Sequence, residues 1–200
     1  MPVDRQVEAE IRAWCERGDY RTAVTIAIRD YGPEVLGFLV VLARDPSDAG
    51  DVFADVCMRM WKGLPGFEWR ASLRTWIYIL ARSAFSKFQR KQIADRERHV
   101  RISDVPEIDE IIRRIRTTTL ARLHQEHKTR AERIREKLSS DDQALLTLRL
   151  DRNLEWRDIV RVLDDREDLD DETLVRESAA LRKRFERLKE RLKQLAAADS

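Results

Sequence analysis

Residues 48–91, DAGDVFADVCMRMWKGLPGFEWRASLRTWIYILARSAFSKFQRK, decide how the rest of the chain is read. Val52, Val56 and Met60 recur at every fourth position beside Phe53, Cys57 and Trp61, which makes the first part a helix with a wide apolar face. Asp48, Asp51 and Asp55 head its solvent face. Gly63, Pro65 and Gly66 end that helix, and Ser72 is placed to cap a second one. There Leu73, Trp76, Ile77, Leu80, Ala81 and Ala84 share one face, while Arg74, Tyr78, Arg82 and Gln89 line another. Cations interleaved with aromatic rings suit single-stranded nucleic acid, because charge holds the phosphate backbone while flat rings offer stacking surfaces to unpaired bases. The loop between the helices adds Phe67 and Trp69 beside Arg70, where a rigid helix pair would present them to a flipped base. Trp61, Trp76, Phe85 and Phe88 lie at helical spacing and read equally well as core, whereas Phe67, Trp69 and Tyr78 are expected to be harder to bury.

In order and spacing, this stretch resembles region two of the extracytoplasmic-function sigma factors, small bacterial initiation factors that direct RNA polymerase to promoters. The residues that carry the resemblance are Asp48-Ala49-Gly50-Asp51-Val52 followed by Trp61, then Leu64-Pro65-Gly66-Phe67, then Ser72-Leu73-Arg74-Thr75-Trp76 and Ile79-Leu80-Ala81-Arg82. The resemblance implies a clamp-binding helix with Asp48, Asp51, Val52 and Asp55 on the polymerase. It also implies a melting loop and a helix reading the minus-ten element, with Phe67, Trp69, Arg70, Arg74, Tyr78 and Arg82 on DNA. The likeness begins near residue 26, with Tyr31-Gly32-Pro33-Glu34-Val35-Leu36 resembling the family's opening helix, and residues 1–20 read as an addition. Ser83 and Lys87 stand where the family commonly has an Asn and an Asp, a departure that bears on which bases are read.

Two hundred residues suit one or two domains. With 39 basic and 37 acidic residues the net charge is only +2, so any case for an anionic partner rests on where the charges cluster. Charged residues make up 38% of the chain and there are only 6 Gly and 5 Pro, a composition expected of a helix-rich protein without long flexible linkers. No signal peptide and no run of ~18 apolar residues is read, and Cys15 and Cys57 lie on apolar helical faces without a CxxC partner. Reduced, buried thiols in a cytoplasmic protein are the expectation. His124 and His127 have a spacing that can hold a metal, but no third ligand accompanies them, so a solvated face is expected and neither metal nor cofactor.

Residues 4–17 are expected to form a helix with Val7, Ile11, Trp14 and Cys15 inward, ended by Gly18, and Asp19 can cap the next. Tyr31-Gly32-Pro33 predicts a break, with Pro33 in the first turn of a further helix running to about Ala43. From Arg82 to Arg101 seven basic residues face two acidic ones, suited to phosphate contacts. A boundary is placed at Ile102–Pro106. Ile111, Ile112 and Ile115 predict one short helix and Leu120, Leu123, His127, Ala131, Ile134 and Leu138 another, together a structured connector.

The second domain opens on a capping box at Ser140 and Gln143, and Asn153 can close the helix that follows. Trp156, Ile159, Val160 and Leu163 predict a short amphipathic helix; Leu174, Leu181, Phe185, Leu188, Leu192 and Leu195 predict a long one. Between Arg176 and Lys193 there are eight basic and three acidic residues. Leu154–Leu163 and Leu181–Arg187 resemble the family's region four, which implies DNA contacts at Arg182, Lys183, Arg184 and Arg187. The turn between them departs from the pattern, since 164–172 holds seven carboxylates and one arginine where three or four residues are usual. It reads as an acidic loop with Asp170 capping the long helix, or as a screen over the basic helix.

The expected fold is therefore all-α: region two with an N-terminal extension over 1–101, a helical connector over 102–138 and a helix-turn-helix over 139–200. The expected function is a sigma factor with no catalytic chemistry, whose partners are core RNA polymerase, promoter DNA and, by the resemblance, an anti-sigma factor, without membrane insertion. The alternative is a helix-turn-helix regulator that binds duplex DNA without polymerase. A metal-dependent nucleic-acid enzyme using His124 and His127 is the third reading, for which neither a third ligand nor a Gly-rich phosphate loop is present.

Overall fold

Helix α2, Tyr20–Ala43, is the spine of the first half of the chain. It starts at Asp19, whose carboxylate accepts from the Thr22 N–H at 3.0 Å, and it runs through Pro33 without the expected break. A proline inside a helix removes one ladder hydrogen bond and costs about 3 kcal/mol, but here Tyr31, Gly32, Val35, Leu36, Phe38 and Leu39 are all buried around it, and that packing outweighs the local preference. The computed structural model describes residues 5–94, 106–125, 130–164, 166 and 169–198, with side chains described outside 91–107 and 122–129. Among these residues the chain is all-α.

The chain divides into two compact units between His124 and Gln125. In the first, α1 (Arg5–Glu16), α2, α3 (Pro46–Gly63) and α4 (Leu73–Ala94) pack on one another, with a single 3₁₀ turn, Leu64–Gly66, after α3. Helix α1, which precedes the span resembling the family, packs on α2 and buries Ile11. Helix α3 is capped by Asp45, with Pro46 at its first turn, and buries Val52, Phe53, Val56, Cys57 and Met60. Burial of Cys57 pushes its thiol well above the ordinary range, so it stays protonated, while Cys15 is half-buried; both are free.

Helix α5, Pro106–Gln125, is where the expected connector begins, yet it belongs to the first unit. Ile108, Ile112 and Ile115 are buried. Two glycines make room for it: a Cβ on Gly32 would lie 2.8 Å from Ile115 Cδ1, and one on Gly50 would lie 2.8 Å from the Arg116 guanidinium. Helix α6, Arg130–Glu136, falls in the second unit, so 102–138 is divided between the two.

In the second unit α7 (Ser140–Leu146) is capped by Ser139, whose hydroxyl accepts from the Asp142 N–H at 3.2 Å. The cap thus sits one residue before the expected Ser140, and Gln143 is instead buried with its amide donating to the Leu138 carbonyl at 3.1 Å. A π-turn, Thr147–Asp151, prolongs α7, and Asn153 then adopts φ 53° and reverses the chain. Helix α8, Trp156–Leu163, and helix α9, Asp171–Ala198, complete the unit, α9 packing across α6, α7 and α8. Asp170 caps α9 by accepting from the Thr173 N–H at 2.7 Å, which lowers its carboxyl pKa. Asp164 is held by Arg166 at 2.6 Å, and Asp171 lies 3.3 Å from Arg157, so these acids of the long turn cap and pair locally. Asp165, Glu167 and Asp168 lie outside the described residues.

Candidate nucleic-acid interface

The helix read as basic and aromatic, α4, turns much of that character inward. Arg74 is buried, and its Nε and Nη2 donate to Glu34 Oε1 and Oε2 at 2.6 and 2.8 Å. Burial alone would lower the Arg74 pKa, but the hydrogen bonds and charge of Glu34 outweigh it and raise it. Tyr78 is fully buried, edge-on to Phe38 with ring centroids 5.2 Å apart. The expectation that Arg74 and Tyr78 contact DNA is therefore overturned, because α4 is wedged against both α2 and α3 and its second face is also an interior face. Arg82 is half-buried, and the exposed cations of α4 among the described side chains are Lys87 and Arg90.

The loop before α4 keeps its aromatics near the surface but not loose. Phe67 and Trp69 are both half-buried. Phe67 stacks on Trp76 at 4.8 Å and touches Trp69 at 5.0 Å, and Arg12 of α1 stands 5.5 Å over the Trp69 ring. Trp69 itself has φ 58°, a left-handed conformation that costs a bulky residue about 1–3 kcal/mol and persists only where its surroundings impose it. Arg70 is exposed, paired with Glu68 at 2.6 Å. Ser72 caps α4 by accepting from the Thr75 N–H at 3.0 Å.

On α3, Asp51 is exposed and Asp48 and Asp55 are half-buried along the outer side. Each has local partners: Asp51 faces Arg116 at 3.3 Å, Asp55 accepts from Arg59 at 2.8 Å, and the Asp48 N–H donates to Asp45. Val52 is buried against the other helices and cannot meet a partner protein, which corrects its assignment to the polymerase surface. The helix period separates it from the three aspartates with which the resemblance groups it.

In the second unit Arg182, Lys183 and Arg187 are exposed on α9, whereas Arg184 is half-buried with both Nε and Nη2 donating to Asp142 Oδ1 at 3.0 and 2.7 Å. That pair ties α9 to α7, so Arg184 is a structural cation. Trp156 sits under Arg149 at 4.8 Å and Arg182 at 5.9 Å, edge-on to Phe185. Among the described residues no group of three or more His, Cys, Asp or Glu is arranged to hold a metal, and no helix is long and apolar enough to cross a membrane. His124, His127 and the basic residues from Lys91 to Arg101 lie outside the described side chains.

Glu8, Arg12, Glu34 and Arg116 were not singled out by the sequence reading. Glu8 shares a helical face with Ile11 and Cys15, and Glu34 shares one with Tyr31 and Phe38. A carboxylate on an inward face requires a partner, and that was the available signal.

Residues 27–93 match the family described as Sigma-70 region 2. The chain is 26% identical over 155 residues to the RNA polymerase sigma-H factor of Pseudomonas aeruginosa, covering 74% of this chain and 78% of that protein. It is 27% identical over 74 residues to the RNA polymerase sigma factor YlaC of Bacillus subtilis, covering 37% of this chain and 43% of that one. No solved structure matches. The matched span is α2 from Ala27 onward, α3, the aromatic loop and most of α4, the same elements whose motifs carry the resemblance, and together with these relatives it supports a sigma factor that directs transcription initiation.

Proposed function

We propose that the first unit binds core RNA polymerase through the outer side of α3 and opens the promoter with the loop between α3 and α4. Asp51 is the centre of the polymerase contact, flanked by Asp48 and Asp55, all three on a surface that a basic clamp would match. Phe67, Trp69 and Arg70 receive the unpaired strand, with Arg82 and Lys87 along α4 on its phosphates. The second unit acts as region four and reads an upstream duplex element with Arg182, Lys183 and Arg187. The protein performs no bond chemistry of its own, works in the cytoplasm where the polymerase is, and is held in check by an anti-sigma partner.

The observation that supports this reading most is the Sigma-70 region 2 match over 27–93, coincident with the acidic helix, the aromatic loop and α4. Run-off transcription with matched core polymerase on a promoter library tests it. Promoter-specific transcripts that require this chain are expected; equal transcription without it, together with dimeric footprints on a palindrome in the absence of polymerase, would favour a conventional helix-turn-helix regulator.

A further inference from the structure

The N-terminus of α4 is satisfied from two sources. Ser72 takes the Thr75 N–H, and the two preceding donors, the N–H groups of Leu73 and Arg74, go to Oε2 and Oε1 of Glu8, each at 3.0 Å. One carboxylate from α1 thus completes a cap on a helix more than sixty residues later in the chain, placing negative charge where the aligned peptide dipoles leave partial positive charge. One turn further along α1, Arg12 reaches over the Trp69 ring at 5.5 Å. Its own side chain is 58% exposed and held by Glu16 at 3.1 Å. The two contacts therefore fall on either side of residues 70–72, one on the loop aromatic in its left-handed conformation and one on the first turn of α4.

We infer that Glu8 and Arg12 are positioning residues for promoter opening: α1 is a brace that fixes the Trp69 ring against the start of α4, so that an unpaired base meets a preformed stacking surface. This rests on the loop reading proposed above. A loop that must adopt an unfavourable backbone conformation samples others when its outside contacts are removed, and the bound conformation then becomes a fraction of the ensemble. Both residues belong to α1 rather than α3, so their removal is expected to separate opening from association.

The test uses the full chain with core polymerase, reading permanganate reactivity of promoter thymines for opening, equilibrium association with core polymerase, and thermal melting of the free protein. Glu8→Ala is expected to lower opening about two- to thirty-fold, the range of a missing helix cap. Arg12→Met, a neutral side chain at an exposed site that leaves folding intact, is expected to lower it about two- to five-fold. Arg12→Lys restores it, association stays as in the wild type, and Arg12→Met adds nothing in a Trp69→Ala background, because the two act as one unit. Wild-type opening in Arg12→Met and Glu8→Ala, with opening lowered in Trp69→Ala, overturns the brace and leaves the loop reading standing. Wild-type opening in Trp69→Ala overturns the loop reading and the brace with it. An Arg12→Met defect that persists undiminished in the Trp69→Ala background also overturns the brace.

Discussion

Helices α4 and α9 look alike in sequence and differ in space. Both carry arginines at helical spacing opposite an apolar stripe. Helix α4 lies between α2 and α3 with α1 at its head, so the face carrying Arg74 and Tyr78 meets Glu34 and Phe38 rather than solvent. Helix α9 leaves Arg182, Lys183 and Arg187 exposed, while Arg184 turns toward the unit and finds Asp142. A basic helical face signals nucleic acid only when nothing in the same fold supplies the anions.

The sharpest way to break this contrast is through Arg74. Its side chain is 4% exposed and its partner is Glu34. Removing one member of a buried pair strands the other charge, so Arg74→Ala should cost about 3–5 kcal/mol of stability, seen as a lower urea midpoint at unchanged slope. An Arg74→Ala protein of wild-type stability with weakened DNA binding would return Arg74 to the interface. Lys183→Glu should do the reverse. It should leave the stability measured in urea within about 0.5 kcal/mol of wild type, while duplex affinity falls and the log-log salt dependence becomes shallower by about one unit for each phosphate no longer neutralised. An unaltered salt slope would move the reading face elsewhere on α9. Between these, Arg184→Ala should cost about 1 kcal/mol through the partly exposed pair with Asp142, with a salt slope like that of the wild type.

The element types of this fold were legible where period and punctuation agreed. The apolar stripe of α9, the extent of α3 and the helical nature of α5 and α8 all follow from spacing, because each presents one dominant face. Pro33 misled, since the local rule for proline is weaker than the burial of the residues around it. Asp48, Asp51 and Asp55 sit on the outer side of α3 as their period requires, whereas Val52, one residue from Asp51, is interior. Arg74 and Tyr78 were misread because a helix with neighbours on two sides has no polar back, and a single sequence does not tell how many neighbours a helix has. Glu8 and Arg12 act across more than fifty residues on the loop and on α4, a contact that no local pattern encodes.

The smallest expected effect concerns the acidic surface of α3. Arg116 must give way for a basic clamp to reach Asp51, and an exposed pair of this kind is worth about 0–1 kcal/mol. Arg116→Ala should therefore tighten association with core polymerase by no more than about five-fold.

Equilibrium association of the full-length Asp51→Lys protein with core polymerase tests the central claim most directly. A like charge set against a basic clamp should weaken association by at least about a hundred-fold, while salt-titrated binding to promoter duplex without polymerase stays as in the wild type. Wild-type affinity of Asp51→Lys for core polymerase would contradict the assignment of the outer side of α3 as the polymerase-binding surface.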